Sequence, residues 1–327
     1  MYEAFYGFDV LPFANTPNAR FFYQSEQHAE ALAKLVYTVQ NRRGIALVTG
    51  QIGCGKTMLI RSMMQRLGKH ASMALINNTR VNGEQLLRLI CAELGVKLAE
   101  NASGGADKSD ILTGIRRFAQ SEHQQGRTVA IVIDEAQALP VEAFEELRLL
   151  TNLENETQKL VQLLILGQPE LANVLRHPRL GPLTQRVSMY CHLEPMSEVQ
   201  MAQYIAFRLI RASGQRPNVD FSTAALKLIY KKSRGIPRMV NLIADNALLV
   251  GYSEDTRFID SKIVNRAIEK HMPTFEATVV HLDDVLHGTR EEIALRAGLD
   301  ADVVIPQTDE ATDQQASETT ESEVARG

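Results

Sequence analysis

Residues 43–57 read Arg43-Gly44-Ile45-Ala46-Leu47-Val48-Thr49-Gly50-Gln51-Ile52-Gly53-Cys54-Gly55-Lys56-Thr57. An apolar run ends at Gly50 and passes directly into the pattern G-x-x-x-x-G-K-[ST]. The run predicts a buried strand. Beyond it, Met58, Leu59, Met63 and Leu67 recur on roughly one face of a helix that starts at Lys56 and stops at Gly68. Strand, glycine loop and helix start, in that order, make a cradle for phosphate. Glycine lets the backbone wrap closely, the loop N–H groups point inward, and the helix N-terminus favours negative charge. Lys56 then reaches the β- and γ-phosphates, and the Thr57 hydroxyl ligates Mg²⁺. The expected nucleotide-binding residues are Gly50, Gln51, Ile52, Gly53, Cys54, Gly55, Lys56, Thr57 and Met58.

A second chemical signal lies 78 residues after the lysine, where Val129-Ala130-Ile131-Val132-Ile133 opens onto Asp134-Glu135. Asp134 is expected to hold the Mg²⁺ shell, and Glu135 to polarise the attacking water beside the γ-phosphate. Paired acids favour hydrolysis over kinase chemistry. The run Leu160–Leu166 ends in Gly167-Gln168, which places an amide beside the γ-phosphate and the water. Asn77, ending a second short strand over 72–77, is a candidate to hold Glu135 in an inactive orientation until a partner binds. Arg186, with Arg179 in reserve, is the candidate to reach a neighbouring subunit's γ-phosphate and stabilise transition-state charge. Arg238 falls in the first turn of a helix opened by Pro237. A cation there is disfavoured by the helix dipole unless an anion compensates, and a nucleotide phosphate is a suitable anion.

Around these motifs, helices over 83–94 and 111–120 alternate with the runs at 72–77, 128–133 and 160–166. That alternation predicts an α/β fold built on a parallel P-loop sheet. After Pro195 the texture changes to four helical segments (197–213, 222–233, 237–252 and 260–271) with no strand among them, which predicts an all-α lid domain. Asn101–Asp107 reads as a polar, glycine-rich loop. The segment 289–304 has a faint helix-turn-helix texture, set against a weakly structured extension over 273–305.

The 327 residues, 45% hydrophobic and 23% charged, describe a chain able to bury a sizeable core and exclude a disordered or collagen-like one. The cysteines Cys54, Cys91 and Cys191 have no metal-ligand spacing and are expected to be reduced thiols. No apolar stretch reaches the roughly 18 residues of a membrane span, and the start lacks signal-peptide texture. The expected location is the cytoplasm, with a peripheral position at the inner membrane as an option. Charge is uneven. Residues 300–327 hold eight acids and one base, a net −7, so the preceding 299 residues carry +3 of the total −4. The tail from about 306 is expected to be disordered. A +3 body is weak support for nucleic-acid binding.

Taken together these motifs resemble the AAA+ ATPases, and more narrowly the ExeA family of secretion and pilus-assembly ATPases. The likeness runs over residues 1–270. It includes Met1-Tyr2, Phe5-Tyr6-Gly7-Phe8, Pro12-Phe13, Arg20-Phe21-Phe22-Tyr23, Asp134-Glu135-Ala136-Gln137 and Leu147–Glu154. The strings Gly167-Gln168-Pro169-Glu170-Leu171, Gln185-Arg186-Val187 and Gly235-Ile236-Pro237-Arg238 are more specific to it than the glycine loop at 50–57 and the acid pair at 134–135. The resemblance implies a sensor-1 role for Gln168, a sensor-2 role for Arg238, and an arginine finger near 186. It further implies ATP and Mg²⁺, a homo-oligomeric ring or dimer with the finger acting in trans, and envelope secretion or pilus components as partners. The resulting domain expectation is an N-terminal segment (1–40) packing on the nucleotide site, with its Phe/Tyr residues and His28 against the adenine. An AAA+ domain (41–195), a lid (196–272), the extension and the acidic tail follow. Longer relatives add a transmembrane helix and a peptidoglycan-binding domain that are not seen here, so the chain looks more like the short MshM-like members of pilus or exopolysaccharide-export systems. Ala138 also departs from the asparagine common in relatives. Two other functions compete. One is a DNA-associated ATPase of the TniB or initiator type, and the other is a nucleotide-dependent scaffold with little turnover.

Overall fold

The strands β1 (Ile45–Gly50), β3 (Thr128–Ile133) and β4 (Val161–Gly167) are buried at every residue, which requires cover on both faces of the sheet. In the computed structural model, which describes residues 1–271 apart from 17, 78, 99–106 and 215–216, β2 (Ala71–Ile76) and β5 (Val187–Leu193) complete a five-stranded parallel sheet. Its order is β2-β3-β4-β1-β5. The expected extension and acidic tail, the 289–304 segment and most of the 101–107 loop lie outside the described residues.

Alternate residues of each strand feed opposite cores, as a pleated strand demands. Ala46 and Val48 of β1 join Val132 and Leu164 beneath α2 (Glu26–Gln40) and α3 (Lys56–Leu67). Ile45 and Leu47 join Ile131, Ile133 and Leu163 beneath α4 (Gly83–Leu94), α5 (Lys108–Gln124) and α6 (Val141–Leu150). Two short helices, α7 (Leu171–Leu175) and α8 (Gly181–Thr184), lead from β4 towards β5. Register decides where the chemistry falls. Thr49 pairs with Gly167 and Ile133 with Ile165, so Gly50, Gln168 and Asp134 emerge side by side at one edge of the sheet.

The expected four lid helices are present as α9 (Glu198–Ser213), α10 (Thr223–Ser233), α11 (Pro237–Ser253) and α12 (Ser261–His271). Each stays within a residue of its expected bounds. Ser197 shows why: its hydroxyl accepts the Gln200 N–H at 3.2 Å, while the Gln200 side chain accepts the Ser197 N–H at 3.0 Å. One expectation is corrected. The lid also holds a two-stranded parallel sheet, β6 (Asp220–Phe221) with β7 (Phe258–Ile259). Two residues are too few for an alternating pattern to register in a sequence.

The N-terminal segment, expected to pack on the nucleotide site, is divided between lid and sheet domain. Its first turn, α1 (Glu3–Tyr6), is embedded in the lid core together with Phe8, Phe13 and Phe21. The fully buried Tyr6 hydroxyl donates to the Leu248 carbonyl at 3.0 Å. Buried Arg208 of α9 donates to the carbonyls of Pro12 (2.5 Å) and Ala14 (3.0 Å) and lies over the Phe21 ring at 5.0 Å. In contrast, α2 packs its Leu32 and Leu35 on the sheet. Aromatic rings and the buried guanidinium draw the first residues into the lid, whereas the amphipathic stripe of α2 matches the sheet face.

Where the chain enters the lid, the Met196 N–H donates to the Gly235 carbonyl at 2.9 Å. A Cβ at Gly235, whose φ is +72°, would sit 2.0 Å from the Met196 carbonyl oxygen, a backbone atom that has nowhere to retreat. Gly235→Ala is therefore expected to cost at least about 3 kcal/mol in urea denaturation. Gly95→Ala, also at positive φ but with open space around it, serves as the control and should cost about 1–2 kcal/mol.

Candidate functional site

The loop leaving β1 turns at Gly53 (φ +84°) and Gly55 (φ +94°), conformations that strain any side-chain-bearing residue. Space is equally restrictive. A Cβ at Gly53 would meet the Arg238 Cβ at 2.7 Å, and one at Gly55 would meet His28 Nε2 at 3.0 Å. Leu59 is the first residue of α3 whose N–H bonds back, to the Gly55 carbonyl at 3.0 Å. The N–H groups of Lys56, Thr57 and Met58 have no backbone acceptor among the described residues, leaving a cluster of donors at the helix start. Lys56 is 5% exposed, yet its ammonium donates only to the carbonyls of Gly50 (2.8 Å) and Gln51 (3.2 Å). Among the described residues it has no carboxylate in ion-pair range. Unsatisfied N–H groups around a buried, unpaired cation fit a polyanionic phosphate.

Across from the loop, β3 delivers the two acids. The Asp134 N–H donates to the Ile76 carbonyl at 2.9 Å, tying the turn to the end of β2. Burial pushes the Asp134 carboxyl up, and the adjacent Glu135 adds to that, outweighing the bonds from the Glu135 N–H and Thr57 and the Lys56 charge. Asp134 Oδ2 accepts the Thr57 hydroxyl at 3.1 Å, so a hydroxyl and a carboxylate already share one point. No group of three or more His, Cys, Asp or Glu able to hold a metal exists among the described residues. A hard divalent cation would take Thr57 and Asp134 together with ligand oxygens, as Mg²⁺ does.

Glu135 stands in a left-handed conformation (φ 52°, ψ 38°) that aims its side chain into the same cleft. Burial pushes its carboxyl up, but amide hydrogen bonds from Gln168 and Gln137 and the Lys56 charge prevail, holding it below the usual carboxylate range. Gln168 donates to Glu135 Oε2 at 3.0 Å and Gln137 to the same oxygen at 2.7 Å. The Oε1 atom has no side-chain partner among the described residues. An ionised carboxylate with one free oxygen facing a phosphate cradle can accept a proton from water.

The structure therefore brings Lys56, Thr57, Asp134, Glu135 and Gln168 together. Arg238, exposed at the start of α11, joins the same cleft and has no ion pair or side-chain hydrogen bond among the described residues. It does not bring in Asn77. That side chain is exposed beyond β2, and the carboxylate it was expected to hold is taken by Gln137 and Gln168. The nearer contact from this loop is Thr79, which donates to the Glu135 carbonyl at 3.2 Å. Arg186 lies outside the cleft, exposed, where it donates to Thr151 Oγ1 (3.2 Å) and to Asn152. Arg179 is engaged by Glu142 and Glu145.

Five participants escaped the sequence reading. Gln137 appeared there only as part of a string, because nothing in its spacing marks a role. Ser25 and the lid residues Tyr204, Arg208 and Asn241 were also missed. The cavity, about 360 Å³, is walled by loop 53–58 and Glu135, by Phe21, Phe22 and His28, and by Tyr204, Arg208 and Asn241. The Tyr204 hydroxyl donates to Asn241 Oδ1 at 2.7 Å, which fixes that amide. His28 props the loop: its Nε2 lies 3.0 Å from the Cys54 carbonyl, and its Nδ1 lies 2.6 Å from Ser25 Oγ. With Nε2–H donating to the carbonyl, Nδ1 accepts the serine hydroxyl, an arrangement that suits the neutral ring.

Comparisons with known proteins agree with this geometry. Residues 39–175 match the family model described as AAA domain. The chain is 37% identical over 259 residues to the General secretion pathway protein A of Aeromonas hydrophila, covering 79% of this chain and 46% of that protein. It thus spans less than half the length of that curated relative. Similar solved structures include Cdc6p from Pyrobaculum aerophilum (TM-score 0.61, 16% identity, 88% of this chain and 76% of that one). The ORC2 protein of Aeropyrum pernix is comparable (0.60, 17%, 88% and 77%), and the RuvB Holliday junction branch migration motor of Thermotoga maritima is more distant (0.52, 16%, 85% and 83%). At these identities the likeness is one of fold. No described helix is long and apolar enough to cross a membrane.

Burial lowers the His28 pKa below its ordinary 6.5, a shift that the Cys54 carbonyl only partly opposes. The unfolded ring therefore takes up a proton at a pH where the folded one does not. The resulting stability is full above about 6.5 and drains away as pH falls towards the folded value. The loss of unfolding free energy between pH 7.5 and pH 5.5 should be smaller in His28→Gln than in wild type, as urea titrations at the two pH values would read.

Proposed function

The chain belongs to the ExeA family of AAA ATPases, with its AAA domain over residues 39–175, and from this we propose that it hydrolyses Mg²⁺-ATP in the cleft between sheet and lid. The observation that carries the proposal is the meeting of a buried Lys56, unpaired among the described residues, with an amide-clamped, ionised Glu135 at the ends of the two strands that flank β4. Lys56 exchanges the loop carbonyls for phosphate oxygens, and the N–H groups of residues 56–58 bind the same anion. Thr57 and Asp134 hold Mg²⁺, which when bound offsets charge on the phosphates. Glu135 takes the proton of the attacking water through Oε1, and Gln168 keeps the carboxylate oriented. Phe21, Phe22 and His28 wall the adenine end, and Arg238 closes the lid onto the phosphates.

Arg186 acts in trans, reaching the site of the next subunit in a ring or dimer. Its support is its partners: it is exposed and donates to neutral oxygens, whereas Arg179 is neutralised by two glutamates. The name of the 37%-identical relative supports service to a secretion pathway, and we extend this to an envelope machine for secretion, pilus assembly or exopolysaccharide export. In this reading the ATPase drives or licenses assembly from the cytoplasmic side, peripherally at the inner membrane.

Three variants test the scheme in steady-state turnover and binding of a fluorescent ATP analogue. Lys56→Ala should abolish binding, and Glu135→Gln should retain binding while slowing turnover at least about a hundredfold. For Arg186→Ala the expected loss is about a thousandfold with affinity preserved. In wild type the rate per subunit should rise with protein concentration. A rate that stays flat, together with an unaffected Arg186→Ala, would remove the shared site. Stimulation of turnover by DNA would move the chain to the transposition or initiator type of ATPase.

A further inference from the structure

Gln137, in the short turn between β3 and α6, bridges two parts of the site that are distant in sequence. Its Nε2 donates to Glu135 Oε2 at 2.7 Å, while its Oε1 accepts the backbone N–H of Gln168 at 3.0 Å. The Gln168 side chain closes the ring by donating to the same Oε2 at 3.0 Å. The orientation of the Gln137 amide follows from chemistry. The N–H of Gln168 demands an acceptor and the carboxylate demands a donor, so a flipped amide would spoil both contacts. The end of β4 makes room for this bridge, since a Cβ at Gly167 would lie 2.8 Å from Gln137 Oε1.

We propose that Gln137 is the positioning residue for Glu135, tying its carboxylate to the end of β4 so that Oε2 is held and Oε1 is presented to water. The assignment rests on Glu135 being the base in the ATP hydrolysis proposed above. Neither amide alone suffices. Gln168 supplies one bond to a carboxylate carried on a flexible stem, and Gln137 supplies the second bond together with the anchor to β4. Because Gln137 grips the backbone of Gln168, movement of the β4 end carries the carboxylate with it. Gln137 touches neither the phosphate cradle nor the metal position, so its loss alters the rate and leaves nucleotide affinity alone.

The test uses the full chain and four variants: Glu135→Gln, Gln137→Leu, Gln137→Glu, and the double variant Glu135→Gln with Gln137→Leu. Gln137→Leu should lower kcat by about tenfold to a hundredfold, with the Kd for a fluorescent ATP analogue within about twofold of wild type. Gln137→Glu has the same length but sets an oxygen against Oε2, and it should lose kcat at least as strongly. The double variant should be no slower than Glu135→Gln alone, because Gln137 acts through Glu135. In nucleotide-free protein, the Gln168 amide should exchange with deuterium about tenfold faster in Gln137→Leu. In Gln137→Glu, which keeps an acceptor for that N–H, exchange should match wild type. Unchanged kcat in Gln137→Leu, losses that multiply in the double variant, or unchanged exchange of the Gln168 amide would each overturn the proposal. Undiminished turnover in Glu135→Gln would instead remove the hydrolytic reading on which it stands.

Discussion

The meeting of the phosphate loop, the acid pair and the Gln168 amide depends on the parallel pairing of β1 with β4 and of β4 with β3. Thr49 lies opposite Gly167 and Ile133 opposite Ile165. That register sets three turns, from about residues 50, 134 and 168, abreast at one sheet edge. A shift of one residue would turn each strand's side chains to the other face and part the two clusters of core residues. The order β2-β3-β4-β1-β5 also makes the chain cross over between strands near this point, and crevices of this kind hold ligands in open α/β sheets.

A second constraint governs the other wall of the cleft. Tyr6 and Arg208 fasten the first residues of the chain into the lid core through backbone carbonyls, whereas the next helix, α2, is part of the sheet domain. The segment between them, with Phe21, Phe22 and Tyr23, therefore spans from lid to loop and lines the cavity. His28 continues the link by contacting the Cys54 carbonyl at 3.0 Å. One short run of chain thus touches both the lid core and the phosphate loop.

The balance of charge in the cleft is consistent with a site awaiting a polyanion. Among the described residues, Lys56 is buried without an ion-pair partner, Arg238 is unpaired, and the backbone donors at the start of α3 are unused. On the opposite side, burial raises Asp134 while amide bonds and the Lys56 charge lower Glu135. Two adjacent acids thus differ in environment, one beside the Thr57 hydroxyl and the other held by two glutamine amides.

Local pattern was enough to read the glycine loop, the buried strands at 45–50 and 128–133, the acids after the second, and the four lid helices, because each rests on contiguous residues: a capping box, an apolar run, a proline at a helix start. Other elements were legible but not read: α2 has a Ser25 cap and an amphipathic stripe, and in β5 Val187, Met189, Cys191 and Leu193 alternate with Ser188, Tyr190 and His192. Asn77 looked suited to hold Glu135 and is exposed, while Gln137, two residues from Glu135, takes that place. What sequence determined by itself was the chemistry available, since a glycine-lysine-threonine turn and an acid pair carry their properties wherever they fold. Only tertiary structure decided which side chains meet, because strand order and register bring together residues such as Gln137 and Gln168 whose separation along the chain says nothing of their distance in space.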